Sequence, residues 1–201
     1  MSDSMHVSLP RVLVVDDEKQ VADAYALRME GVADTTIAYS GEEALAAIDP
    51  SDPPDVVLLD RHMPGMSGDD VLTQLRELDA RMRVIMITAI DPQLAILELP
   101  FDEYLCKPVE RADVRAAVDQ QCQVLAYDLL GEYFRLESKR AVISAELSQE
   151  QLQEHDEFVE LDARTSEVRA RRAAPAGGGR PDQVVHRYRQ GGVLTLSVVV
   201  V

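Results

Sequence analysis

The sequence predicts an α/β fold built on a parallel sheet, and three observations carry that expectation. Five apolar runs, near residues 11–15, 34–38, 56–59, 84–87 and 103–106, alternate with stretches of helical periodicity. Each run has the length of a strand buried in a parallel sheet. Four of them end on residues that carry chemistry: Asp16 and Asp17 after RVLVV, Asp60 after VVLL, Thr88 after VIMI, and Lys107 after EYLC. In an open α/β sheet, ligand sites assemble at the carboxyl ends of the strands, so one pocket can hold all five side chains.

Taken in order, the strand at 11–15 leads into a helix at 19–30, and an aspartate after a strand also has a plain reading as a helix cap. A strand at 34–38 and a helix at 41–48 follow. The strand at 56–59 ends in DRHMPGMSG, and a helix at 68–79 follows. After the strand at 84–87, Pro92 and Pro100 leave little room for a full helix before the strand at 103–106. From Arg111 to about Ala145 there is no proline. Leu129, Leu136 and Ile143 recur every seven residues there, with Tyr133 and Leu147 on the adjoining stripe. One long amphipathic helix is expected, with Gly131 as its weak point.

Ser148 and Gln151 have the spacing of a capping box for a second helix reaching about Arg172, to which Leu152, Phe158 and Val159 give only a broken apolar face. Two such helices bury little alone, so they fold back on each other or pair with a second chain. AAPAGGGRP at 173–181 reads as a flexible break. The organisation expected is a tail at 1–9, a domain at 10–120 of roughly 110 residues, ample for a core, a helical segment at 121–172 and a flexible tail at 173–201.

Charge narrows the chemistry. Three neighbouring carboxylates repel one another unless a cation joins them, and oxygen-only ligands favour a hard ion such as Mg2+. The ion and Lys107 would neutralise a phosphoryl group while the Thr88 hydroxyl donates to it. Asp60, alone at its strand end, is the natural nucleophile for an aspartyl phosphate, with Asp16 and Asp17 holding the metal.

These segments resemble a known family. VLVVDDE, VVLLDRHMPGMSG, IMITA and YLCKPV are similar, in order and spacing, to the signatures of the response-regulator receiver domain of two-component signalling. The resemblance implies a doubly wound sheet of strand order 2-1-3-4-5, Asp60 as phosphoacceptor and a histidine kinase as partner. It also implies Asp17 as a direct Mg2+ ligand with Asp16 acting through water, and the backbone carbonyl of His62 as a further ligand. Lys107 would pair with the phosphoryl group ahead of a cis bond to Pro108, and Thr88 and Tyr104 would be the switch pair. The His62 ring would border the phosphoryl group and tune its hydrolysis. The helical segment resembles the HalX-type regulators of haloarchaea. The LPFDEYL segment departs from the usual receiver pattern, so the family's usual interface is not carried over.

The chain has 36 acidic and 20 basic residues, net −16, and only three lysines. Such a surface resembles proteins of salt-loving microbes, in which ionic strength screens self-repulsion. Circular dichroism should therefore show a higher melting temperature in molar KCl than in low salt; equal values would count against this. No basic stripe for nucleic acid stands out, because RARR at 169–172 also reads as favourable charge near a helix C-terminus. DNA binding is left open. Cys106 and Cys122 lack metal spacing, and VLTLSVVVV is too short to span a bilayer. A cytoplasmic protein is expected. Two rivals remain: an aspartate-based phosphatase, which would want a second acid where His62 stands, and a scaffold or phosphotransfer intermediate that never touches DNA.

Overall fold

The structure is a computed structural model and describes residues 9–78, 81–89, 98–147, 149–153 and 155–173. Strands β1 (Arg11–Val15), β2 (Asp34–Ala38), β3 (Val56–Asp60), β4 (Arg83–Thr88) and β5 (Glu103–Cys106) form one sheet. Its order is β2-β1-β3-β4-β5 and every pairing is parallel. Helices α1 (Lys19–Met29), α2 (Gly41–Ala47) and α3 (Gly68–Glu77) connect the strands, followed by α4 (Arg111–Glu146), α5 (Gln149–Gln153) and α6 (Asp156–Ala173).

Alternation along the central strands divides the core in two. Val12, Val14, Val56, Leu58, Ile85 and Ile87 face α1 and the first turns of α4. Leu13, Val15, Val57, Leu59, Val84 and Met86 face α2 and α3. Successive strand side chains point to opposite faces, and both faces are covered, so these runs read as continuous apolar sequence rather than alternating. Each fully buried aliphatic side chain contributes about 1.5–3 kcal/mol. Helix α3 is fixed at its start by a capping box, in which the Ser67 hydroxyl accepts from the Asp70 amide and the Asp70 carboxylate accepts from the Ser67 amide. At the other end of the sheet the Asp102 carboxylate accepts from Arg76, Arg83 and the Val84 amide, tying α3, β4 and β5 together.

Helix α4 runs 36 residues without a break, about 54 Å, and leaves the sheet partway along. Of the two arrangements open at the level of sequence, the helices fold back: α6 lies antiparallel along α4, with Leu125 and Leu129 against Val168 and with Tyr133 and Leu136 beside them. The Glu132 carboxylate, almost buried, is paired with Arg81 and Arg164, and Arg140 with Asp162. The second helix differs from expectation. It is two helices, with a new start at His155, whose carbonyl accepts from the amides of Phe158 and Val159. Asp156 and Glu157 in the first turn of α6 favour that restart through the helix dipole.

The proposed capping residue Ser148, the segment around Pro92, the 1–8 tail and the chain beyond Ala173 lie outside the described residues. Ile143 stays exposed, so the seven-residue repeat ends as a buried seam near Leu136. Arg171, within the RARR run, donates to the Arg81 carbonyl at 2.6 Å and faces Asp55 at 3.9 Å, anchoring the end of α6 beneath the sheet. The Cys122 thiol is pushed up to about 12 by burial and then by Asp55 and Asp119. It is a packing residue rather than a reactive one.

Candidate functional site

The site grows from the carboxyl ends of β1, β3, β4 and β5. Asp16 follows β1, where its amide donates to the Ala38 carbonyl at 3.2 Å. Only 2% of Asp16 is exposed. Its Oδ1 accepts from the Glu18 amide at 3.0 Å in a turn that leads into α1, and the helix-cap reading is not met, because the capping position is Glu18 and carries no side-chain capping bond. Asp60 closes β3 and is 7% exposed, with Oδ2 accepting from the His62 amide at 2.9 Å. Lys107, just past β5, joins the two acids: its Nζ lies 2.8 Å from Asp16 Oδ2 and 2.7 Å from Asp60 Oδ1. The Lys107 amide donates to the Thr88 carbonyl at 2.7 Å, and the bond to Pro108 is cis. Thr88 is fully buried, and its Oγ1 stands 3.4 Å from His62 Nδ1.

Burial raises the Asp60 carboxyl above the usual carboxylate range, and Lys107 and the His62 amide only partly offset it. For Lys107, burial pulls the ammonium down, yet Asp16 and Asp60 together outweigh it and leave the pKa raised. Two carboxylates crowded into a low-dielectric edge would repel one another, and this ammonium holds them together. The result is a buried nucleophilic oxygen beside a fixed cation, with amide and hydroxyl groups close by. That set suits a phosphoryl group, whose charge must be neutralised as it arrives.

Asp16, Asp60 and Lys107 therefore meet as expected, with Thr88 and His62 alongside. Asp17 does not join them in the ion-pair triangle; it is half-buried on the loop after Asp16. The cation between the acids is Lys107 rather than a third-carboxylate cage. Among the described residues no group of three or more His, Cys, Asp or Glu side chains is placed to hold a metal by itself. The donor set nevertheless fits Mg2+, which takes oxygen ligands and is commonly held by one or two carboxylates with water completing its shell.

Sequence reasoning missed Arg61. Its guanidinium forks onto Asp69 at 3.0 Å through both Nε and Nη2 and also bonds the Tyr104 side chain. Tyr104 is half-buried, with its ring 5.5 Å from that of Phe101. The proposed switch aromatic is thus tied to the residue after Asp60. An eight-residue spacing from Arg61 to Asp69 across a loop gave no sequence signal. Tyr25 was also missed; buried on α1, its hydroxyl is raised by burial and feels the opposing field of Lys107.

Gly68 sits directly under this edge. Its amide donates to the Arg61 carbonyl at 2.9 Å, and a Cβ there would collide with the Asp60 carbonyl oxygen. Gly65, at φ +76°, takes the left-handed turn that most side chains disfavour.

Comparison with known proteins places this geometry. Residues 12–119 match the response regulator receiver domain, and residues 123–179 match the HalX domain. A Haloferax volcanii protein named "Putative transcriptional regulator" is 43% identical over 166 residues, covering 81% of this chain and 28% of that protein. The transcriptional regulatory protein CutR of Streptomyces coelicolor is 42% identical over 113 residues, 54% of this chain and 51% of CutR. The chain thus spans about half the length, or less, of these curated relatives. Among solved structures, a signal receiver domain from Vibrio parahaemolyticus superimposes with a TM-score of 0.57 at 26% identity, covering 62% of this chain and 98% of that one.

Proposed function

The chain belongs to the response regulator receiver family, with a HalX domain behind the receiver, and from that premise we propose that Asp60 is the acceptor in a phosphorelay whose output passes through the α4–α6 hairpin. A receiver is a phosphoacceptor signalling module and not a catalytic enzyme, and it implies a cognate histidine kinase. In the proposed step an Asp60 oxygen attacks phosphorus, the bond from phosphorus to the kinase imidazole breaks, and an acyl phosphate forms. Support comes chiefly from Lys107, which lies within hydrogen-bonding distance of both Asp16 and Asp60 and is positioned to follow the new charge.

Receiver domains generally use Mg2+. Here Asp16, Asp17, Asp60 and the His62 backbone carbonyl would hold it. When bound, the ion supplies charge neutralisation at the transferring phosphoryl group. Thr88 would turn its hydroxyl from His62 toward the phosphoryl oxygens, and Tyr104 would respond through Arg61. A switch of this kind shifts a two-state equilibrium by about 1–3 kcal/mol.

Two outputs are in play. Regulation of transcription is supported by the name of the Haloferax relative. A protein-interaction adaptor or phosphotransfer intermediate without DNA binding is supported by Arg171, which the fold spends on Arg81 and Asp55 instead of leaving it in a basic patch. No helix among the described residues is long and apolar enough to cross a membrane, and a cytoplasmic site of action is part of the proposal.

Acetyl phosphate with Mg2+ should label the protein with an alkali-labile phosphate, and chelation should prevent it. Labelling that survives chelation would defeat the Mg2+ assignment. Specific DNA fragments recovered with the protein from cells would select transcription, and recovery of partner proteins alone would select the adaptor.

A further inference from the structure

The two residues that follow Asp60 each hold one member of the Thr88 and Tyr104 pair. His62 Nδ1 stands 3.4 Å from the Thr88 hydroxyl, and the Arg61 guanidinium, which can only donate, bonds the Tyr104 hydroxyl. Thr88 and Tyr104 are themselves neighbours. Across β4 and β5, Tyr104 pairs with Met86 and Cys106 with Thr88, so alternation along the strands turns both side chains to the same face of the sheet.

Arg61 is clamped at both its ends. Its carbonyl accepts from the Gly68 amide at 2.9 Å, and its guanidinium forks onto Asp69 through Nε and Nη2, each at 3.0 Å. Gly68 and Asp69 open α3, whose start is fixed by the capping box of Ser67 and Asp70. A planar guanidinium held on a carboxylate by two bonds has its remaining donors aimed in set directions. Only 18% of the Arg61 side chain is exposed. Tyr104, half-buried with its ring 5.5 Å from that of Phe101, leaves its place only by breaking the bond to Arg61.

We propose that Arg61 is the resting latch of Tyr104: a positioning residue, clamped to α3 through Asp69, whose bond to the tyrosine hydroxyl sets how readily the switch yields when Asp60 is phosphorylated. The proposal deepens the reading of Asp60 as acceptor and rests on it. If the phosphorylated form requires the ring to leave Arg61, affinity for a phosphoryl group is reduced to the fraction of molecules in which that bond is already broken. Loss of the latch therefore tightens binding. By Coulomb attraction alone the opposite holds, since a cation one residue from the acceptor helps to bind an anion, and its removal would also leave the Asp69 carboxylate without its counter-charge. Latch and charge thus differ in sign for one and the same substitution.

Arg61→Met keeps the length of the side chain and removes every donor. Calorimetric titration of the full chain with beryllofluoride, a mimic of the phosphoryl group, in Mg2+ and molar KCl should show this variant binding about tenfold more tightly than the native chain. Tyr104→Phe keeps the ring, loses the hydroxyl and should gain as much. The double variant should gain no more than either single one, as expected of two partners in one bond. In protein labelled with 3-fluorotyrosine, the fluorine resonance missing from Tyr104→Phe identifies Tyr104. Beryllofluoride should shift that resonance in the native chain, and Arg61→Met should shift it in the same direction before any ligand is added.

Unchanged or weaker binding by Arg61→Met, additive gains in the double variant, or a Tyr104 resonance indifferent to Arg61→Met would overturn the latch and leave Asp60 as acceptor. A native chain that binds no beryllofluoride would instead strike the reading of Asp60, and the latch with it.

Discussion

Asp60→Asn is expected to abolish Mg2+-dependent labelling by acetyl phosphate while the protein stays folded. The asparagine amide keeps the shape at the end of β3 but offers no nucleophilic carboxylate oxygen. The Lys107 ammonium keeps Asp16 as a partner at 2.8 Å. Stability should move in the opposite direction to function. Burial, the largest influence on Asp60, raises its carboxyl above the ordinary value of 3.8 despite Lys107. The native state therefore holds the proton more tightly than the unfolded chain, and this side chain lowers stability as pH climbs from about 4 through its raised native value.

Asparagine removes that burden, so the variant's melting temperature should equal or exceed that of the native protein at pH 7, with a smaller difference at pH 4. The Lys107 contribution has the other sign. Its raised pKa keeps the stabilisation intact below the ordinary lysine value of 10.5, so it does not vary across this window. Label retained by Asp60→Asn would move the acceptor elsewhere, and a drop of several degrees at pH 7 would show that pairing with Lys107 outweighs burial.

Gly68→Ala is expected to cost about 2–3 kcal/mol and to lower the melting temperature by roughly 5–10 °C. The added Cβ would strike the Asp60 carbonyl oxygen and lie 2.8 Å from the Arg61 Cα, and both obstacles are backbone. Relief requires α3 to retreat or the end of β3 to shift, and the latter carries Asp60, so labelling should slow as well. Gly31→Ala is the control. Its φ is +77° but nothing lies within 4 Å of the new Cβ, so only conformational strain of about 1 kcal/mol applies. Denaturant unfolding of both variants decides the matter, and equal losses would mean that crowding at Gly68 is tolerated.

The strands were legible because burial on both faces of a parallel sheet leaves an unbroken apolar run. The expected spans match β1, β2 and β5 and fall within a residue at each end of β3 and β4. Asp16, Asp60 and Lys107 were legible for a related reason: a residue at the carboxyl end of a strand has its location fixed by the sheet. Asp17 was harder to place, since one residue further along the loop neither the strand nor a partner dictates where its side chain goes. Arg61 was invisible because its partners, Asp69 and Tyr104, come from a helix start and a neighbouring strand end that only folding brings together. The break between α5 and α6 was hidden in a run with no glycine or proline to mark it.

By itself the sequence determined which segments are strands and helices and which side chains stand at the sheet edge, because periodicity and strand-end position are local properties of the chain. The tertiary structure decided which of those side chains touch. It also decided that α6, by crossing at Leu129 and Val168, covers one apolar face of α4 and leaves the face with Tyr127 and Phe134 open. Periodicity marks both sides of the helix as apolar, and only the neighbour that the fold brings against α4 decides which of them is covered.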